Sequence, residues 1–177
     1  MKIEFFLNQS QRALVIHDLK DDTYRNFTAA DKSLIEQILF KVSEDYPEAY
    51  YQLDNLYSSN RFLMAYRFLR CNLGINDNVA DIDSDFNFVI EHVFCPIRGI
   101  CEYENIICNP KLRTDLTERE LQIGSLLVQN ISIEDAAEKF FISPYTVENH
   151  KKKIFKKLGF HKLSELVNYF YKNNLIK

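Results

Sequence analysis

The sequence predicts a mainly α-helical protein of two small domains, and three observations carry that expectation. Apolar residues recur at helical spacing through much of the chain. Charge is divided unevenly between its halves. A polar, proline-containing stretch, Asn109-Pro110-Lys111-Leu112-Arg113-Thr114-Asp115, lies between them. The 177 residues carry 22 Lys/Arg and 25 Asp/Glu, a net −3, but residues 111–177 hold twelve basic and eight acidic side chains, leaving −7 on residues 1–110. Opposite charge on two halves points to a nucleic-acid-binding part joined to a part with another task. The expected division is an acidic, mainly helical domain over 1–109 with a regulatory or dimerisation role, a linker over 110–115, and a helical DNA-binding domain over 116–177.

In the first domain, Leu34, Ile35, Ile38 and Val42 share one face of a helix over about Asp31 to Glu44, with Thr28 as its expected cap. Pro47 opens a tyrosine-rich helical turn, and Asn60 to Cys71 predicts a further helix carrying Phe62, Tyr66 and Phe68. The tyrosines Tyr46, Tyr50, Tyr51 and Tyr57, set among acids, are expected in the core or on a partner surface.

The second domain reads as four closely spaced helices. Thr117 and Glu120 form a capping box at the start of the first, which runs to about Gln129 and stops at Asn130, a residue tolerant of left-handed backbone. The second spans Ser132 to about Phe140. Ser143 caps the third, with Pro144 at its first position, where the missing N–H costs nothing, and Gly159 ends it after Leu158. The fourth covers about Leu163 to Asn173. On the third helix Val147, Ile154 and Leu158 fall on one stripe, while Tyr145, Glu148, Asn149, Lys152 and Lys156 face the other way. Two helices joined by a tight turn, the second basic and well capped, make a helix-turn-helix reader. Asn149 has the amide geometry to pair with adenine, and Lys152 can reach guanine O6/N7. Lys151, Lys153, Lys156 and Lys157 supply charge for flanking phosphates.

All four cysteines lie between 71 and 108: Cys71, Cys95, Cys101 and Cys108. In an intracellular chain such a group is expected to hold metal rather than disulfides, structural zinc first and iron or an iron–sulfur cluster second, with His92 as substitute ligand for Cys71. The bland alternative is that some thiols are small buried hydrophobes. His17 and His161 are expected to be ordinary surface or core histidines.

What is missing also bounds the function. The four glycines, Gly74, Gly99, Gly124 and Gly159, never share a loop, so no glycine-rich phosphate cradle can form. No Ser/His/Asp set or zinc-protease helix is present, and no enzymatic activity is expected. No apolar run reaches about 18 residues and no signal-peptide layout opens the chain, so a soluble, cytoplasmic protein without membrane contact is expected.

The residues Leu116-Thr117-x-Arg119-Glu120, Ala137-Glu138-Lys139, Ile142-Ser143-x-x-Thr146-Val147-x-x-His150 and Ile154-x-x-Lys157-Leu158-Gly159 resemble the LuxR-type helix-turn-helix shared by LuxR, FixJ and NarL regulators. The resemblance covers about residues 114–175. It implies a bacterial transcription regulator that binds double-stranded DNA through the 143–158 helix, commonly as a homodimer, with contact to RNA polymerase as a further expectation. By position it places Glu148, Asn149 and Lys152 towards bases, Thr146 and His150 near the backbone, and Ser143, Tyr145, Lys153, Lys156 and Lys157 around them. The fourth helix, through Val167, Phe170 and Tyr171, would form the dimer contact. Gly124 departs from the family's usual bulky aliphatic residue, and Phe140, Phe141 or Phe155 is expected to fill the space. The family often carries a phospho-receiver upstream; Asp21-Asp22 is the one acidic pair resembling a receiver's, and with no buried strand expected before it a receiver is excluded. An autoinducer-binding domain is excluded by shortness and the lack of strand–helix alternation. Two rival functions remain: a sigma-factor-like promoter reader, disfavoured by the acidic upstream half, and a protein-interaction module, metal- or redox-sensing, with accessory DNA binding.

Overall fold

A three-stranded antiparallel sheet, which the sequence reading did not expect, opens the N-terminal unit. The computed structural model describes residues 2–8 and 13–176, and it separates into two compact units, Met1–Arg113 and Thr114–Lys177. Strands β1 (Ile3–Asn8), β2 (Ala13–Asp18) and β3 (Thr23–Asn26) pair in sequence order. Helices α1 (Lys32–Asp45), α2 (Pro47–Tyr57) and α3 (Arg61–Asn72) follow, and residues 73–113 form no further helix. Among the described residues seven helices outweigh three strands, so the mainly α class holds with a small sheet added to it.

Strands β1 and β2 are covered on both faces, whereas β3 is exposed. Ile3, Phe5, Leu14 and Ile16 join Ile38, Leu39, Leu53 and Phe68 of the helices in one hydrophobic core. On the opposite face the cross-strand partners Glu4 and His17 are also buried, beneath the segment that follows α3. Asp77 and Asn78 donate their backbone N–H groups to Glu4 Oε1 at 2.6 and 2.7 Å. The sequence reading also placed no buried strand before Asp21-Asp22; β2, with Leu14 to His17 buried, stands there. The sheet is antiparallel throughout, unlike a receiver's parallel one. Thr28 does not cap α1. Asp31 occupies the cap position, and its own carboxylate accepts the Thr28 N–H at 2.8 Å.

The C-terminal unit consists of α4 (Glu118–Val128), α5 (Ile133–Phe140), α6 (Pro144–Leu158) and α7 (Leu163–Lys172). The Thr117–Glu120 capping box is complete, Ser132 Oγ accepts the Asp135 N–H, and Asn130 takes the left-handed conformation with φ 62°. The space at Gly124 is filled by Phe170, not by Phe140, Phe141 or Phe155. A Cβ at Gly124 would lie 2.5 Å from the Phe170 ring. Between the units' cores, the stretch expected as a linker has structure: Pro110 is buried, Leu112 packs on the N-terminal core, and Arg113 donates its N–H to Asp45 O at 2.7 Å.

Candidate nucleic-acid interface and cysteine cavity

Helix α6 is fixed at both ends by its own sequence. Ser143 Oγ accepts the Thr146 N–H at 3.1 Å, Pro144 occupies the first turn, and Gly159 closes the helix with φ 68°, a conformation that would strain a side-chain-bearing residue. Val147 and Ile154 are fully buried and seat the helix on α4 and α5. The preceding α5 buries Ala136 and Ala137, whose small side chains allow the close approach of a helix-turn-helix pair. Arg119 sets the turn by stacking 4.0 Å over the Phe140 ring and donating to Phe140 O at 3.3 Å.

Opposite the buried stripe, Tyr145 is 73% exposed, Lys152, Lys153 and Lys156 are exposed, and Glu148 and Asn149 are half-buried. Thr146 and Ser143 bond to each other at 2.8 Å, so both hydroxyls serve the cap. Glu148 lies 3.9 Å from Lys151, a loose pair one turn along the helix. His150 is half-buried, and its Nδ1 has no hydrogen-bond partner among the described residues. Lys157 departs from its expected role: its Nζ donates to Glu120 Oε2 at 2.6 Å and to Asp115 O at 3.1 Å, so the charge is spent inside the unit. Burial alone would push the Glu120 carboxyl up, but Lys157 and the Thr117 N–H and hydroxyl outweigh it and hold the group below the usual carboxylate range.

"Bacterial regulatory proteins, luxR family" is the description of the family that matches residues 114–170. Those residues form a LuxR-family helix-turn-helix domain. The oxygen regulatory protein NreC of Staphylococcus aureus strain JH9 is 42% identical over 62 residues, covering 35% of this chain and 29% of that protein; NreC of strains Mu3 and NCTC 8325 gives the same figures. The chain thus matches less than a third of these relatives' length. No solved structure matches the chain. Within the LuxR-family domain, α6 is the second helix of the helix-turn-helix pair, and α7 carries the three residues expected at a dimer contact. Phe170 must be withdrawn from that set. It is fully buried against Gly124, whereas Val167 is half-buried and Tyr171 is 62% exposed. Leu163, one turn before Val167, is exposed.

In the N-terminal unit, Cys71, Cys95, Cys101 and Cys108 all line one cavity of about 270 Å³. Each is a half-buried free thiol. His92, the expected substitute ligand, is exposed and does not line it. Asn72 sets the arrangement: its fully buried amide donates to Ile107 O at 2.8 Å and accepts the Asn109 N–H at 2.8 Å, which holds the residues either side of Cys108 against the end of α3, next to Cys71. Cys95 and Cys101 each open a turn, with Arg98 N–H on Cys95 O and Glu104 N–H on Cys101 O, both at 3.1 Å. Glu104 ties the turns together by accepting the Gly99 N–H at 2.6 Å. Burial pushes the Cys71 and Cys108 thiols up, partly offset by Arg67 and Arg98 respectively. The sequence reading missed the three cavity arginines, Arg67, Arg70 and Arg98. Their signal was position: two precede Cys71 by four and one residues, and the third lies between Cys95 and Cys101.

Proposed function

We propose that this chain is a cytoplasmic bacterial transcription regulator that reads double-stranded DNA through α6, while the N-terminal unit supplies regulation. The observation that carries the reading is the division of α6 into a seated stripe, Val147 and Ile154, and an opposite face presenting Tyr145, Asn149, Lys152 and Lys156. In this reading Asn149 and Lys152 contact base edges, with Glu148 beside them. Lys153 and Lys156 meet phosphates, and Ser143 and Thr146 present the helix start to the backbone. The chain acts as a homodimer through the α7 stripe of Leu163, Val167 and Tyr171, whose apolar side chains remain outside the domain core. A symmetric reader of this kind recognises two half-sites. Contact with RNA polymerase belongs to the same proposal and rests on the family alone.

The test is duplex binding by wild type and the Asn149→Ala/Lys152→Ala variant at matched salt. A bidentate base contact is worth about 1–3 kcal/mol, so the double variant is expected to lose at least about tenfold in specific affinity and to relax its sequence preference. Unchanged affinity together with unchanged preference overturns the assignment of α6 as the reader.

A further inference from the structure

We propose that Cys71, Cys95, Cys101 and Cys108 bind an iron–sulfur cluster, with Arg67, Arg70 and Arg98 balancing its negative charge. The proposal concerns the N-terminal unit and does not depend on the DNA-reading assignment.

Four thiols scattered over 38 residues of sequence converge on one cavity, and hydrogen bonds that do not involve the sulfurs hold them there. A cysteine serving as a small hydrophobe would be fully buried; each of these four is half-buried, and the residues lining their common cavity include three arginines. The local charge is the reverse of the domain's. In a half carrying −7, three arginines are among the residues lining the cavity, with Glu104 as the one acid. Arg98 lies 3.8 Å from Glu104, and the Arg67 Nε is buried without a hydrogen-bond partner among the described residues. Four thiolates on a metal centre carry net negative charge, and this is the ligand such a wall would receive.

Spacing separates a cluster from a single ion. Tetrahedral zinc at about 2.3 Å from each sulfur draws its thiolates to roughly 3.8 Å of one another. Among the described residues no three His, Cys, Asp or Glu side chains are gathered closely enough to hold one metal ion. The cluster is of the 4Fe–4S type, in which each thiolate bonds a different iron, so the four surround a volume rather than a point. Four cysteines spread around a cavity of about 270 Å³ fit that requirement. The same centre accounts for how residues 73–113, irregular apart from isolated bridges, can be ordered within a compact unit.

The experiment is purification of the full chain under anaerobic conditions, followed by iron, acid-labile sulfide and zinc determination and visible spectroscopy. The expected result is iron and sulfide in equal amounts, with a broad visible band that bleaches on reduction with dithionite. Cys71→Ser and Cys108→Ser are each expected to lower cluster content more than twofold. Because a cysteine variant can fail to fold, reconstitution of the wild-type apoprotein with ferrous iron and sulfide provides a second measurement. One zinc per chain without sulfide overturns the proposal. So does failure of the wild-type chain to acquire iron and sulfide on reconstitution. Gel-shift behaviour is read separately, so loss of the cluster and loss of the reader are distinguishable.

Discussion

In the C-terminal unit, the buried carboxylate of Glu120 meets Lys157 at 2.6 Å and the Thr117 N–H at 2.8 Å, and its charge is stabilised. In the N-terminal unit, the buried carboxylate of Asp81 accepts the Phe5 N–H at 2.5 Å, yet burial still pushes it up to about 8. Glu91 is raised to about 7, again chiefly by burial. The contrast separates two ways of burying polar groups. The LuxR-family domain pairs its buried acid with a cation and fits its apolar groups shape to shape. The N-terminal unit pairs Glu4 with His17 but buries Asp81 against β1 on a backbone N–H alone, where protonation favours the fold.

The largest effect is expected where shape matching is tightest. Phe170 fills the space left by Gly124 and is fully buried, so Phe170→Ala should cost the C-terminal unit about 3–5 kcal/mol. Gly124→Leu should destabilise it through overpacking by about 1–3 kcal/mol. The two changes together should cost less than their sum, because the leucine occupies the volume the ring vacates. Thermal or urea unfolding of the three variants checks this. Additive losses would show that Phe170 and Gly124 are not complementary.

The pH response of the two units should run in opposite directions. For Asp81 the folded value lies above the unfolded one, so the folded state binds the extra proton. The stability it contributes is complete below about pH 4 and is lost as pH rises towards about 8. His17 adds to the same trend. Its hydrogen bond to Glu4, with help from Asp22 and against the effect of burial, raises it, so its contribution too is lost as pH climbs through the folded value. Glu120 and Glu165 are held low, Glu165 chiefly by the His161 and Lys162 N–H groups; their contribution is present above the ordinary carboxylate range and lost as pH falls through it. Asp81→Asn keeps an acceptor for Phe5 and removes the charge. It is expected to leave stability near pH 4 unchanged and to raise it by on the order of a few kcal/mol at pH 8 and above. A variant parallel to wild type across that range would remove Asp81 from the account.

These particulars also explain what could be read from the chain alone. Three of the four C-terminal helices were legible because each cap is local: Thr117 with Glu120, Ser132 with Asp135, Ser143 with Pro144 and Gly159 need no distant partner. The sheet was missed although Ala13-Leu14-Val15-Ile16 is an apolar run with two β-branched residues, bounded by Arg12 and His17. Strands β1 and β2 are buried on both faces, and one face carries Glu4 and His17, polar residues whose cross-strand register pairs them at 2.9 Å. The filling of Gly124 by Phe170 joins positions 46 residues apart, and no helical periodicity reports that contact. For the cysteines, their number was visible but their gathering was not, since Asn72 rather than the spacing of the thiols brings Cys71 to Cys108.

The smallest expected effect tests the comparison at adjacent residues of one helix. Lys156 is exposed on the face of α6 opposite Val147 and Ile154, whereas Lys157 is bound to Glu120 and Asp115. On charge alone the two would contribute equally to duplex binding, so only their surroundings separate them. Lys156→Gln should weaken binding about equally for all sequences and reduce the salt slope by about one. Lys157→Gln should leave the slope unchanged. It should instead destabilise the domain, because it leaves the buried Glu120 carboxylate without its cation, and the loss should diminish as pH falls and Glu120 protonates. Salt titration of duplex binding and unfolding at two pH values separate the roles. Equal slope changes for both lysines would mean that the Glu120 pair opens on DNA, and the C-terminal unit would then lose the internal neutralisation that sets it apart from its neighbour.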